Sequence, residues 1–276
     1  MIYVLGDSSS SGTELADHLI SNWPGHKSTK TDHVAYRKWV NDPARQKEID
    51  KIENRAGYEI FDQIQTTQSW PGQLAEITGI EVINQAIAQS GPSYWPYRLT
   101  QDLKKYSPDT VILQFTSLDR EVLFTTDSTN TVQPTFVTAG SLPASGPETD
   151  YFVNLKLIED SVANFYKFLV TVAISQDICR SHGVNNIHVV STFDFANTAL
   201  YSVGGHAKLM QCPDIVNAWN ATGIDWLNID SIQSCSSHPI LPPLYMVGEM
   251  PNGHHNAATH RRFAEMIASK YILNTA

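Results

Sequence analysis

Cysteine is scarce in this chain: Cys179, Cys212 and Cys235 are its only three in 276 residues. That is too few for a disulfide framework at this length. The thiols are expected to be reduced, with a Cys212–Cys235 pairing left open, and a cytoplasmic setting follows. The chain begins directly on strand-like residues, with no signal-peptide pattern ahead of them. Long apolar runs are also missing. The longest mainly apolar one, Phe168 to Ile174, is too short to span a bilayer, so no membrane role is expected. Positive charge is the minority sign: 19 Lys and Arg against 28 Asp and Glu leave a net charge of -9. Basic residues adjoin only at Arg37-Lys38, Lys104-Lys105 and Arg261-Arg262. With no basic stripe to displace counterions, nucleic acid is excluded as a partner. No cofactor signature is present. Gly204-Gly205 is too short for a phosphate loop, and His254, His255 and His260 lack the acid or cysteine that would complete a metal ligand set. No internal repeat occurs.

What is present is a core-forming composition, 42% hydrophobic, consistent with one domain over residues 1–276. Strand-like and helix-like segments alternate. Met1 to Leu5, Glu81 to Ile87, Thr110 to Phe115, Asn186 to Phe193 and Ile224 to Ile229 read as strands. The near-continuous apolar run of Thr110 to Phe115 suits a strand buried on both faces of a parallel sheet. Helices are expected from Ser69 (a plausible cap) to Gly79, over Tyr94 to Tyr106, over Asn154 to Ser181, and over Asn256 to Ile272. Two stretches stand apart. Residues 22–68 are polar and charged and read as a helical insertion capping one side of the site, whereas 125–150 reads as a long loop. The alternation predicts an α/β, three-layer doubly wound sandwich with a mainly parallel sheet of about five strands. Ligands of such sheets bind beyond the carboxyl ends of the strands, where Ser8, Gly91, Thr116 to Asp119 and the histidines before the last helix converge.

Within that frame the opening stretch, Met1-Ile2-Tyr3-Val4-Leu5-Gly6-Asp7-Ser8, carries the chemistry. A buried strand stops at Gly6 and places a hydroxyl at the start of a helical turn. Backbone N–H groups and a positive dipole end are close by for developing negative charge. As a plain turn, the same residues would be a helix cap. Asp119, with Arg120 and Glu121 after it, reads as the start of a solvated helix rather than as an acid of the site. Trp70, Tyr94 and Trp95 are core or rim aromatics that could also stack on a sugar.

The order of segments resembles the SGNH or GDSL hydrolase family. Gly6-Asp7-Ser8 with Gly12 is similar to its first block, and Val82-Ile83-Asn84 with the turn after it to its second. Pro108-Asp109-Thr110-Val111-Ile112 resembles the strand leading to its third block, and Asn252-Gly253-His254-His255-Asn256 its last. The resemblance implies a flavodoxin-like fold and a serine ester hydrolase without cofactor. Ser8 is then the nucleophile and His255 the general base, with His254 the second candidate and Asn252 at the position of the orienting acid. The implied oxyanion donors are the N–H of Ser8 and an N–H from Gln89 or Gly91. A third donor would be a hydroxyl of Thr116 or Ser117, because Leu118 stands where the family has asparagine. A short acyl ester, such as a sugar O-acetyl group, is the implied substrate. The two replacements, Asn252 and Leu118, keep open a weakly active or inactive carbohydrate-binding or structural module on the same fold.

Overall fold

The computed structural model describes residues 1–12, 15, 47, 59–88, 90–116, 118, 120–126, 131–137, 161–195, 204–236 and 255–273. Its centre is a parallel sheet of four strands: β1 (Ile2–Leu5), β2 (Val82–Asn84), β3 (Thr110–Phe115) and β6 (Asn186–Ser191), in the order β2-β1-β3-β6. β1 pairs on both edges, Ile2 opposite Val82 on one side and Thr110 on the other. Every residue of β1 and β3 is buried, which is why both read as near-continuous apolar runs rather than as alternation.

The period of two is nonetheless present, hidden by burial on both sides. Tyr3, Leu5, Val111 and Leu113 face one layer, where they pack with Leu99 and Leu103 of α4 (Trp95–Tyr106) and Phe165, Phe168 and Leu169 of α5 (Ser161–Ser181). Ile2, Val4, Ile112 and Val190 face the other. There they meet Trp70 and Leu74 of α3 (Trp70–Thr78) and Phe263, Ala264 and Ile267 of α8 (Ala257–Ile267). Helices on both faces of a parallel sheet make the three-layer doubly wound sandwich, in the flavodoxin-like strand order. α3 ends at Gly79, whose left-handed backbone donates its N–H to Ala75 O. Ser69 holds the cap position, but its hydroxyl donates instead to Thr66 O at 2.9 Å. α2 (Glu59–Gln68) packs against α3 and, apart from Lys47, is the described part of the expected insertion. The remainder of 22–68 lies outside the described residues.

Two expectations need correction. The fifth strand, Ile224 to Ile229, does not form; after α7 (Pro213–Thr222) the chain makes a 3-10 turn at Trp226–Asn228. Trp226 is drawn into an aromatic cluster, 5.2 Å from Phe168 and 5.3 Å from Phe195, while Asn228 bonds back to Asp225. Aromatic burial and local turn bonding outweigh the strand pattern there. Among the described residues the fifth sheet position is marked by a single bridge, Ser191 to Ser231. Second, Glu121 does not begin a helix but a strand. β4 (Glu121–Thr126) and β5 (Val132–Val137) form an antiparallel pair outside the main sheet, occupying part of the expected 125–150 loop. Phe124 rests on Tyr97 of α4, ring centroids 4.9 Å apart, which anchors the pair. The rest of that loop, 127–130 and 138–150, lies outside the described residues. The thiols are reduced as expected: all three cysteines are free, and the pairing of Cys212 with Cys235, open from the sequence, does not form. Burial pushes the Cys179 thiol up to about 12, which keeps it protonated and inert. Among the described residues no helix is long and apolar enough to cross a membrane.

Candidate active site

Ser8 and Thr116 follow the carboxyl ends of the adjacent parallel strands β1 and β3, the edge at which doubly wound sheets bind their ligands. The first segment there is the turn Gly6 to Ser11. α1 (Ser8–Ser11) is a single helical turn closed by the Ser11 N–H on Asp7 O at 2.9 Å, so the Ser8 backbone sits at its start. Gly6 accepts the Ile87 N–H at 3.0 Å and the Ser90 hydroxyl at 2.7 Å. Asn84, the last residue of β2, donates its amide to Ser10 O at 2.8 Å and accepts the Ala86 N–H. The Ser10 hydroxyl donates to Gln114 Oε1. That bond passes directly over Gly6, where a Cβ would lie 2.3 Å from Ser10 Oγ and 3.1 Å from Gln114 Cβ. A side chain at position 6 would displace the Ser10 hydroxyl from this bond.

Asp7 is buried and paired with Arg120, whose Nη1 lies 3.0 Å from Asp7 Oδ2 and 3.3 Å from Ser90 O. The guanidinium thus bridges the turn before Ser8 and the turn before Gly91. Gly91 is also tightly placed: a Cβ there would meet Arg120 O and Arg120 Cβ, each at 2.6 Å. Gly91→Ala is therefore expected to destabilise the fold by about 1–3 kcal/mol through overpacking against backbone. Urea denaturation checks this, and an unchanged midpoint would show that the turn has room to yield.

Thr116 follows β3, and its Oγ1 lies 2.9 Å from Thr192 Oγ1, which in turn accepts from Gln114 Nε2 at 3.1 Å. His255 is buried and directly precedes Asn256, whose side chain caps α8 by accepting the Thr259 N–H at 3.0 Å. One turn further, His260 Nδ1 accepts the Trp70 backbone N–H at 3.0 Å, and Trp70 Nε1 donates to Gln114 Oε1 at 2.9 Å. The serine-bearing turn and the helix that His255 introduces are therefore connected through Ser10, Gln114, Trp70 and His260. Of the residues expected from the sequence, Ser8 (its backbone), Gly91, Thr116 and His255 are described. Gln89, Ser117, Asp119, Asn252 and His254 lie outside the described residues. Trp70, Tyr94 and Trp95 are buried and belong to the core rather than to an exposed sugar platform. No group of three or more His, Cys, Asp or Glu that could hold a metal occurs among the described residues.

Two features escaped the sequence reading. The Asp7–Arg120 pair joins residues more than a hundred positions apart, with no local signature. Gln114 did leave a signal: it is the lone amide inside Thr110 to Phe115, and a buried polar side chain there must find partners.

No protein-family model and no curated relative matches the sequence. Among solved structures, the chain is similar to a lipolytic protein assigned to the G-D-S-L family from Desulfitobacterium hafniense, with 11% identity, a TM-score of 0.42, and 97% of each chain covered. It is also similar to an acetyl xylan esterase from the rumen bacterium Butyrivibrio proteoclasticus, with 10% identity and a TM-score of 0.43, covering 99% of this chain and 63% of that one. A carbohydrate esterase family 2 enzyme plus carbohydrate binding domain from Corynascus thermopiles (Myceliophthora fergusii) is similar at 14% identity and a TM-score of 0.42, covering 97% of this chain and 64% of that one.

Proposed function

We propose that this chain is a serine ester hydrolase acting on a short acyl ester, a sugar O-acetyl group or a comparable small-molecule ester. Ser8 attacks the acyl carbonyl and His255 accepts its proton. The alcohol leaves with that proton, and water then releases the acid from the acyl-serine by the reverse use of the same base. The N–H of Ser8 and an N–H of the Gln89 to Gly91 turn hold the oxyanion, with Thr116 or Ser117 supplying a hydroxyl. The observation that carries the reading is the Gly6 to Ser11 turn. It stands at the carboxyl end of the central strand, pinned by β2, β3 and Arg120, and is linked through buried hydrogen bonds to the helix that follows His255. A rigid mount of this kind suits a nucleophile, since misplacement by an ångström can cost about 10²-fold in rate. The Arg120 cation neutralises the Asp7 carboxylate directly before Ser8, so that this buried acid does not oppose the negative charge that would develop there.

The substrate class rests on the resemblance of the sequence blocks. Against it stands the loss of the orienting acid: an Asn in place of Asp costs about four orders of magnitude in a Ser-His-Asp triad. A backbone carbonyl holding the His255 ring would avoid that cost. A binding module with no turnover is the competing reading, favoured by Asn252 and Leu118 together.

Incubating the protein with a serine-directed fluorophosphonate and mapping the adduct separates the two. The hydrolase reading expects stoichiometric modification of Ser8 and turnover of p-nitrophenyl acetate. No adduct and no turnover across a series of short esters would establish the module instead. Product analysis with an added alcohol distinguishes hydrolysis from acyl transfer.

A further inference from the structure

We infer that Gln114 is a positioning residue that sets the serine-bearing turn and the histidine-bearing helix in register with each other, an inference resting on the Ser8 and His255 reading above. β3 is otherwise apolar apart from Thr110 at its start, and Gln114 is buried within it. An amide there must satisfy both its oxygen and its nitrogen. Its orientation follows from chemistry: the indole Nε1 of Trp70 can only donate, so the atom facing it is the oxygen. The Ser10 hydroxyl donates to that same oxygen, leaving Nε2 to donate to Thr192 Oγ1.

Each partner leads to a different segment of the candidate site. Ser10 lies two residues after Ser8 in the same helical turn. Trp70 is bound through its backbone N–H to His260, on the first turns of α8 and five residues after His255. Thr192 contacts Thr116, at the mouth of β3. A strand in the middle of a sheet is the least mobile element available. One side chain on it therefore holds three loops that come from distant parts of the chain. The absence of a side chain at Gly6 permits the arrangement, since any Cβ there would occupy the path of the Ser10–Gln114 bond.

Gln114→Met preserves length and removes all three hydrogen bonds. The expected result is a kcat lowered about 10–100-fold, as for a small displacement of reacting groups, with KM within about twofold of the original. Phosphonylation of Ser8 should slow in parallel. Backbone amide exchange should accelerate at both Ser11 and His260, whose N–H groups close the two turns concerned. Thr222→Val serves as the control. It removes the buried hydrogen bond from Trp226 Nε1 on the opposite face of the sheet, and is expected to lower stability without changing kcat or either exchange rate. Ser10→Ala in a Gln114→Met background should cost no more than Gln114→Met alone. If Gln114→Met behaves like Thr222→Val, with normal kcat and unaltered exchange at Ser11 and His260, the inference is wrong while the hydrolase reading stands. If instead the unaltered protein neither turns over esters nor labels at Ser8, the hydrolase reading fails. The exchange measurement then decides by itself whether Gln114 couples the two turns.

Discussion

Ser8→Ala is expected to reduce hydrolysis of short esters by about 10⁴- to 10⁶-fold, the range for losing a nucleophile whose partners act as a unit. The variant should fold normally. Alanine suits the first turn of a helix, and the Ser8 N–H proposed for the oxyanion is a backbone group that the substitution leaves in place. Residual activity would then measure what binding and oxyanion stabilisation contribute without covalent chemistry. His255→Ala should fall in a similar range, because a nucleophilic hydroxyl without its base is nearly inert near neutral pH. His254→Ala, by contrast, should leave most of kcat intact. The pair of histidine variants assigns the base by a difference of several orders of magnitude. Unchanged turnover in Ser8→Ala would overturn the hydrolase reading outright, and a larger loss in His254→Ala than in His255→Ala would move the base by one residue.

The second large effect concerns stability. Arg120→Met is expected to cost about 3–5 kcal/mol, because it withdraws the cation from a carboxylate that is 1% exposed, while Arg120 itself is only 20% exposed. It also removes the donor to Ser90 O. Much of that cost belongs to a buried carboxylate that has lost its cation rather than to the pair's net contribution, so neutralising the acid as well should recover most of it. Asp7→Asn combined with Arg120→Met is accordingly expected to lie closer to the unaltered protein than Arg120→Met alone. Urea melts of the two single variants and the double variant measure the coupling directly. If the double variant is as unstable as the sum of the singles, the account by a buried carboxylate deprived of its cation is wrong. Activity of the double variant is informative in its own right. A folded protein with normal stability and poor turnover would show that the Asp7–Arg120 pair assists the chemistry beside Ser8.

Several elements were legible because their determinants are local. Thr110 to Phe115 is strand from end to end, since a run of β-branched and large apolar residues has nowhere else to be buried. α3 ends at Gly79 as expected, because a left-handed residue stops a helix whatever surrounds it. The last helix is likewise explained by its own residues: Asn256 caps it, and Phe263 and Ile267 fall on the face it buries. The errors have the opposite origin. Trp226 belongs to an aromatic cluster assembled from α5, α7 and the segment after β6, and that cluster overrode the strand pattern around it. Glu121 to Thr126 found a partner strand, and a seat for Phe124 on Tyr97, that its own charges did not announce.

The same division runs through the site. The sequence alone determined the strand-turn-helix setting of Ser8, the alternation that makes a doubly wound sheet, and the candidate histidines near the far end. Each follows from periodicity, turn chemistry and residue type within a short window. Only the tertiary structure decided that Arg120 lies against Asp7, that Gly91 abuts Arg120, and that Gln114 joins Ser10 to Trp70 and, through it, to His260. Those contacts satisfy buried charges and amides whose partners stand tens to more than a hundred residues away. Burial dictates that a partner must exist, but only the folding of the sheet selects which one.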